Sequence, residues 1–261
     1  MPEYATYPSL RGKKVLVTGG AEGIGAAAIL AFAAQGAQTI ILDISTESAT
    51  ALIEQIRGLG HPVPDFHQCD VTDLSRLKTI ADEVLDKYGA VDVLVNNAAS
   101  AGGLARAATD EVTPEIWDFN IAVNLRHQFF LSQYLAPAMR KQKSGSIINM
   151  GSITWRIPAV GLPVYTTCKA AVLGLTRTHA KEFGVDGVRV NSIMPGSIAT
   201  ERQKKEVLTK EYEAWTMEAQ MIKRVLVPEE VARVILFLAS DDASGVTGSS
   251  YVVDGGWVGD P

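Results

Sequence analysis

The sequence predicts a single doubly wound α/β domain, a parallel sheet with helices on both faces. Three observations carry that expectation. Short apolar runs alternate with helix-forming stretches from one end of the chain to the other, the order that yields parallel strands joined by helical crossovers. The first apolar run enters a glycine-rich turn that opens a helix. The polar clusters fall just after apolar runs, at the carboxyl ends of the expected strands, where ligands bind in such sheets. With 261 residues and no internal repeat, low-complexity segment or long linker, one domain spanning 1–261 is expected. A polar, charged, helix-prone stretch at about 199–227 suits a flap over a site.

Lys13 to Val17 reads as the first buried strand. It runs into Thr18-Gly19-Gly20-Ala21-Glu22-Gly23-Ile24-Gly25 and an alanine-rich helix to about Gln35. Glycines allow a tight turn and let backbone N–H groups approach a phosphate. The helix start adds partial positive charge. Gly19, Gly23, Ile24 and Gly25 are therefore candidate cofactor contacts. A tight turn is all that glycine strictly implies; the position between strand and helix adds nucleotide binding. Gln38 to Leu42 is the second strand and ends at Asp43, 18 residues after Gly25, near where a carboxylate takes adenosine ribose hydroxyls. A carboxylate there repels a 2′-phosphate, Glu22 adds negative charge and Ile44 offers no cation. All three favour NAD over NADP. The competing reading of Asp43 is a helix cap or turn residue.

A helix from about Glu47 to Gly58 and the linker Gly60-His61-Pro62-Val63-Pro64 lead to a third strand ending at Cys69. Asp70 and Val71 then lie where an adenine is held, and Asp73 caps the next helix, to about Tyr88. Val91 to Val95 is the fourth strand. Asn96-Asn97-Ala98-Ala99 follows, polar amides and small residues past which a cofactor can run, with Asn97 and Ala98 as candidate contacts. The amides equally suit tying neighbouring loops together. Pro114 to about Lys141 reads as one long helix. Asn124 interrupts its apolar face, and a buried amide needs partners, for packing or for function. Ser146 to Met150 is the fifth strand, leading to Ser152. The next helix carries Tyr165 and Lys169 and runs to about Gly184, with His179 read as structural. Val188 to Ile193 is the sixth strand, followed by the turn Met194-Pro195-Gly196-Ser197. Pro228 starts a helix through Ser240. Ser250 to Val253 is a last short strand, closed by Asp254-Gly255-Gly256-Trp257.

The chemistry concentrates between Ser152 and Lys169. Tyr165 and Lys169 are four residues apart and share one helix face. Ser152, thirteen residues before Tyr165, sits at a strand end from which a hydroxyl can face the phenol. Free tyrosine titrates near pH ~10, too high for a base at neutral pH, and an ammonium one turn away lowers that value. This is a proton-transfer site. The glycine turn and Asp43 supply its partner, so a proton and a hydride leave one carbinol.

Composition narrows the rest. Hydrophobic residues at 47% and charged residues at 20% are ordinary for a soluble globular protein. A net charge of −5 argues against nucleic-acid binding, and Arg202-Gln203-Lys204-Lys205 is too short to reverse that. Cys69 and Cys168 form no C-x-x-C pair and no zinc-spaced cluster, so buried free thiols and no metal are expected. The opening Met1-Pro2-Glu3-Tyr4 lacks the pattern of a signal peptide. No run of about 18 apolar residues suggests a membrane span. A cytoplasmic protein is expected.

Together the motifs resemble the short-chain dehydrogenase/reductase family, over Lys13 to Trp257. Thr18-Gly19-x-x-x-Gly23-x-Gly25 is similar to its cofactor turn. Asn96-Asn97-Ala98-Ala99 is similar to its N-N-A-G, with Ala99 in the glycine position. Asn124, Ser152, Tyr165 and Lys169 match its four catalytic positions, and Pro195-Gly196 its motif beside the nicotinamide. The resemblance implies a Rossmann-type fold, NAD as cofactor and a homotetramer. It also implies that Tyr165 and Lys169 meet cofactor, Lys169 holding the nicotinamide ribose, and that Asn124 holds a water linking Lys169 to solvent. A narrower resemblance is to NAD-dependent aldose 1-dehydrogenases acting on D-xylose and L-arabinose. It rests on Tyr7-Pro8-Ser9-Leu10-Arg11-Gly12-Lys13, Val123-Asn124-Leu125-Arg126-His127, Gly151-Ser152-Ile153-Thr154-Trp155, Thr200-Glu201-Arg202-Gln203 and the stretch Leu236 to Ser244. It implies oxidation of a cyclic pentose at C1 to a lactone. A sugar needs many hydrogen bonds, so Ser152, Tyr165, Asn149, Trp155, Arg156 and Arg202 are the candidate substrate contacts, with Trp155 also suited to filling core. A 3-oxoacyl reductase or secondary alcohol dehydrogenase shares all four catalytic residues. A nucleotide-binding scaffold without turnover is the alternative of another class.

Overall fold

The structure, a computed structural model, describes residues 4–157 and 159–259; the opening Met1-Pro2-Glu3 lies outside them. Seven strands form one parallel sheet in the order β3-β2-β1-β4-β5-β6-β7. They are β1 Lys14–Thr18, β2 Gln38–Asp43, β3 Asp65–Gln68, β4 Val93–Asn96, β5 Gly145–Met150, β6 Val188–Pro195 and β7 Ser250–Val253. Strand order reverses beside β1, whose neighbours are β2 and β4. A crevice at the carboxyl ends opens at such a reversal. The sixth strand runs on to Pro195, beyond the expected Ile193, because β7 pairs with it through Pro195↔Val253.

Successive strand residues face opposite layers. Val15, Val17, Ile41, Val95, Ile148 and Ile193 pack with α1 (Gly23–Ala34), α2 (Thr46–Gly58) and the later helix Pro228–Ala239. Leu16, Ile40, Leu42, Leu94, Ile147 and Val190 pack with α3 (Leu74–Tyr88) and with helices from the middle of the chain. Two apolar cores on two faces are what near-continuous apolar strands require. Side-chain caps start the helices as expected: Ser45 accepts from Ser48 N, and Asp73 from Arg76 N.

The expected single helix from Pro114 to Lys141 differs in one respect. It consists of α4 (Pro114–Ile121), a π-helical turn over Ala122–Arg126, and α5 (His127–Lys141). The wide turn carries Asn124. Asn120, Asn124 and Gln128 are buried at four-residue spacing, and their amides demand partners that lie off the helix. The extra residue in the turn aims Asn124 at the Ser100 backbone. Such turns cluster at functional sites.

α6 (Pro163–Phe183) follows β5. The stretch after β6 forms two short helices, α7 (Glu201–Glu206) and α8 (Lys210–Ala219), capped by Thr200 and Thr209. An isolated bridge, Ile198↔Leu226, joins the two ends of this stretch. The last helix, Pro228–Ala239, is α9.

Candidate active site

β5 delivers Ser152 to the carboxyl edge of the sheet. The Ser152 hydroxyl accepts from Thr154 N at 3.2 Å and starts a single turn, Ile153–Trp155. Pro163 opens α6, which lays Tyr165 and Lys169 one above the other. Lys169 Nζ lies 5.5 Å from the centre of the Tyr165 ring and donates to Met150 O at 2.8 Å. The lysine is 1% exposed, and burial pulls it down to about 8.

Tyr165 departs from expectation. Burial raises its phenol above the ordinary value; the Ser152 hydroxyl and the charge of Arg202 oppose that rise. The expected lowering by Lys169 does not set the balance here. One of the three N–H donors of Lys169 goes to Met150 O.

Asn124 is fully buried and its amide is spent. Oδ1 accepts from Ser100 N at 3.0 Å, and Nδ2 donates to Ser100 O at 3.0 Å and to Asn120 Oδ1 at 3.3 Å. It clamps the loop after β4 against the π turn. The side chain thus braces that loop. The fully buried His127, the first residue of α5, is pushed down to about 3 by burial and by the charge of Lys169.

The glycine turn fits a nucleotide. Gly19 and Gly23 have φ of 61° and 53°, conformations that favour glycine. A Cβ on Gly25 would lie 1.9 Å from Gly19 O, so this position serves turn packing. α1 begins at Gly23, Ile24 and Gly25 with no side-chain cap. Those first N–H groups, and the dipole behind them, suit a pyrophosphate. Asn97 Nδ2 donates to Thr18 O and Gly19 O, and both Asn97 N and Ala98 N donate to Thr18 Oγ1. These residues knit β4 to the turn, the tying role left open from sequence, and wall the crevice with backbone.

Asp43 accepts from Ala21 N and Ser45 N, both at 2.9 Å, and is 9% exposed. It scaffolds the turn at the strand end. Glu22 accepts from Ser48 Oγ. Asp70, exposed, accepts from Thr72 N and Oγ1, and Val71 is buried beside it. Gly196 N donates to Val253 O; a Cβ there would lie 2.6 Å from Asp254 Cβ, so the glycine after Pro195 answers to packing.

Two substrate candidates have partners within the chain. Asn149 is fully buried; it accepts from Asn96 Nδ2 at 2.8 Å and donates to Thr176 Oγ1 at 3.1 Å. It belongs to the interior because its position on β5 faces α6. Arg156 instead donates to Gly259 O at 2.5 Å and lies over the Trp155 ring. Its partner is the C-terminal tail, 103 residues away. Trp155 is 37% exposed, which removes it from the core. Arg202, exposed on the first turn of α7, donates to Ala99 O at 3.3 Å and bears electrostatically on both Tyr165 and Lys169.

Two participants, Ser100 and Asn120, were not singled out from sequence; they act through contacts distant in sequence, and nothing local marks them.

A family profile described as Enoyl-(Acyl carrier protein) reductase matches residues 19–258. D-xylose 1-dehydrogenase of Caulobacter vibrioides is 46% identical over 253 residues, 97% of this chain and 98% of that protein. The chain belongs to the short-chain dehydrogenase/reductase family. A second member, "Probable galactose dehydrogenase GalD" of Rhizobium meliloti, is 44% identical over 96% of each chain. The crystal structure of a 3-oxoacyl-[acyl-carrier protein] reductase from Brucella melitensis superposes with a TM-score of 0.89 at 30% identity, covering 99% of this chain and 98% of that one. Dehydrogenases of this family use nicotinamide cofactors, which suits the uncapped α1 start and the turn before it. Among the described residues no three His, Cys, Asp or Glu side chains are grouped to hold a metal, and no helix is long and apolar enough to cross a membrane. Cys69 and Cys168 are buried free thiols, both pushed up to about 11 by burial. Neither is a nucleophile at neutral pH.

Proposed function

We propose that this protein oxidises a cyclic pentose, L-arabinose or D-xylose, at C1 with NAD, giving a sugar lactone. The observation that carries this reading is the 46% identity to a D-xylose 1-dehydrogenase over nearly all of both chains, on a chain whose Ser152, Tyr165 and Lys169 stand together at one strand edge. Tyr165, as phenolate, takes the proton of the anomeric hydroxyl. Ser152 hydrogen-bonds the developing carbonyl oxygen and fixes its position. Lys169 holds the ribose next to the nicotinamide, and Asn124 keeps the Ser100 loop in place. A bound nicotinamide supplies the hydride acceptor. The N–H groups of Gly23, Ile24 and Gly25 would hold its pyrophosphate, Asp70 and Val71 would border its adenine, and Gly19, Asn97, Ala98, Pro195 and Gly196 would line its path. The negative charge of Asp43 and Glu22 beside the ribose favours NAD over NADP. Trp155, half-exposed next to Ser152, offers a face to the sugar ring.

A homo-oligomer, in the family's manner a tetramer, suits the surface. A groove of about 470 Å³ between α5 and α6 is lined by Phe129, Leu175, His179 and Phe183, with Phe129 41% exposed.

The deciding experiment is a panel of L-arabinose, D-xylose, D-galactose and L-fucose with NAD and NADP, followed by nicotinamide absorbance. Turnover of a pentose with NAD at higher kcat/KM than with NADP is expected. No pentose turnover beside brisk reduction of a 3-oxoacyl ester would instead assign a carbonyl reductase.

A further inference from the structure

After β7 the chain turns back toward the site. β7 is an edge strand beside β6, and β6 lies beside β5. The return from β7 to β5 covers two strand spacings, about 10 Å. Gly196 N donates to Val253 O at 2.9 Å, and a Cβ on Gly196 would lie 2.6 Å from Asp254 Cβ, so the segment leaves β7 pressed on the turn after Pro195. The Asp254 carboxylate, 4% exposed, accepts from Gly256 N at 2.8 Å and from Val258 N at 2.7 Å and curls the chain. Gly255 and Gly256 have φ of 68° and 82°, which favour glycine. Gly255 O accepts from Met221 N and Ile222 N, both at 2.9 Å, just past α8. The last fastening is the Arg156 guanidinium, which donates to Gly259 O. Arg156 is itself held on the single turn that Ser152 starts, with Arg156 N donating to Ile153 O at 2.8 Å.

Asp254–Gly259 is thus a strap that runs from β7, past the carboxyl end of β6, to the residues just after Ser152. Its bulkiest side chain is Trp257, half-buried, whose ring meets Trp215 of α8 edge-on at 4.7 Å. We propose that this strap is the specificity wall of the site: Trp257, backed by Trp215, and the tie from Arg156 to Gly259 limit the length of the carbinol that reaches Ser152 and Tyr165. Compact substrates the size of one sugar ring fit, and long acyl chains are excluded. This rests on reading Ser152 and Tyr165 as the reacting pair.

The fastenings engage three separate elements: the end of β6, the end of α8 and the turn after β5. The strap cannot leave one of them without straining the others. A long chain bound at Ser152 needs a groove leading outward between the turn after β5 and the stretch that holds α8, and the strap joins those two segments. A single ring needs no such groove. The wall is also stiff where it is widest. Trp257 packs on Trp215, and Trp215 meets Tyr212 at 5.6 Å, so three aromatic rings back one another in a row. Indoles give large contact area with few rotatable bonds. At the strap's other end the Arg156 guanidinium lies over the Trp155 ring, which joins the tie to the residue three after Ser152.

The test is a ratio of kcat/KM, compact probe over long probe, on the full chain. Two pairs of probes are used: D-xylose against 2-decanol in oxidation, and ethyl acetoacetate against ethyl 3-oxodecanoate in reduction. If D-xylose is not oxidised, the pentose reading fails and the second pair still reports on the wall. The wild type should favour the compact member. One methylene in a pocket changes such a ratio by about tenfold or more, so Trp257→Ala should lower it roughly tenfold, chiefly through a smaller KM for the long probe. Trp257→Phe should keep most of the preference. Arg156→Leu, which frees the far end of the strap without touching its aromatic ring, should act in the same direction, and Arg156→Lys should restore the ratio. A wild type that already favours the long member overturns the proposal. So does a ratio that stays in place in Trp257→Ala and Arg156→Leu, or an equal loss on both members of a pair, which would leave the strap a purely structural part.

Discussion

Lys169 carries its amine inside the fold, with one backbone carbonyl as its hydrogen-bond partner. Its folded pKa of about 8 lies below the ordinary 10.5. Between those values the unfolded chain binds more protons, so stability rises with pH across that window; below pH 8 both states are charged and the full cost, about 3 kcal/mol, is present. Lys169→Met should therefore abolish turnover yet raise the melting temperature at pH 7 by about 5 °C, a gain that fades by pH ~10.5 and is absent if the amine is not buried. His127 has a profile of the same sign in a more acidic window. Buried neutral with a pKa of about 3 against 6.5, it withdraws stability as pH falls through that interval, and His127→Leu should flatten the acid limb of the stability curve measured by urea titration. Tyr165→Phe should remove activity and leave nucleotide affinity within about twofold, measured by fluorescence titration. At this scale the sequence spoke clearly where chemistry follows local spacing. Tyr165 and Lys169 are one helical turn apart, and any helix brings them together. The partners of Asn149 and Arg156, Thr176 and Gly259, were not legible because they lie 27 and 103 residues away.

Among the elements, the glycine turn and the π turn do the positioning. The turn is built from close backbone approaches, and Gly25 shows it: an added Cβ would meet Gly19 O at 1.9 Å and Asn97 Nδ2 at 2.7 Å. Gly25→Ala should destabilise the domain by about 1–3 kcal/mol or more and weaken nucleotide binding. Gly58→Ala, in open space at the end of α2 with no positive φ, should stabilise it by about 0.5–1 kcal/mol. Urea titration of both variants separates backbone crowding from mere loss of glycine: equal effects would refute the packing account. Strands and helices were legible because their apolar runs and caps are local, and all seven strands stand where the apolar runs predicted, with ends shifted by one to a few residues. The π turn was not legible. It is imposed by three buried amides whose partners come from the loop after β4 and from β5, and periodicity within the helix cannot report a contact outside it. The division of the stretch after β6 into α7 and α8 hides for a different reason: Thr209 is an ordinary residue until its hydroxyl caps Tyr212 N.

At the scale of the whole molecule, the catalytic helix has two ends with different duties. The first turns of α6 hold Tyr165 and Lys169; the last turns offer Leu175, Thr178, His179 and Phe183 to a groove shared with α5. α5 in turn begins directly after the π turn that carries Asn124. Aromatic contacts cross between the two helices, Phe129 to His179 at 5.5 Å, with His179 to Phe183 at 4.9 Å along α6. Burial keeps His179 below its ordinary pKa, so the groove is apolar at neutral pH, and the charges at its edge are Arg140 and Glu182, one of each sign. A self-complementary contact between two copies can match such a pair reciprocally. A second copy seated there would brace, at once, both helices that aim the catalytic side chains. Phe129→Glu places an unpaired carboxylate at the centre of that contact. It should shift the sedimenting species to a smaller assembly at micromolar protein and lower kcat several-fold, while Phe129→Leu keeps both near the wild type. An unchanged sedimentation coefficient would place the subunit contact on another face and leave α5 and α6 to hold the active site by their own packing.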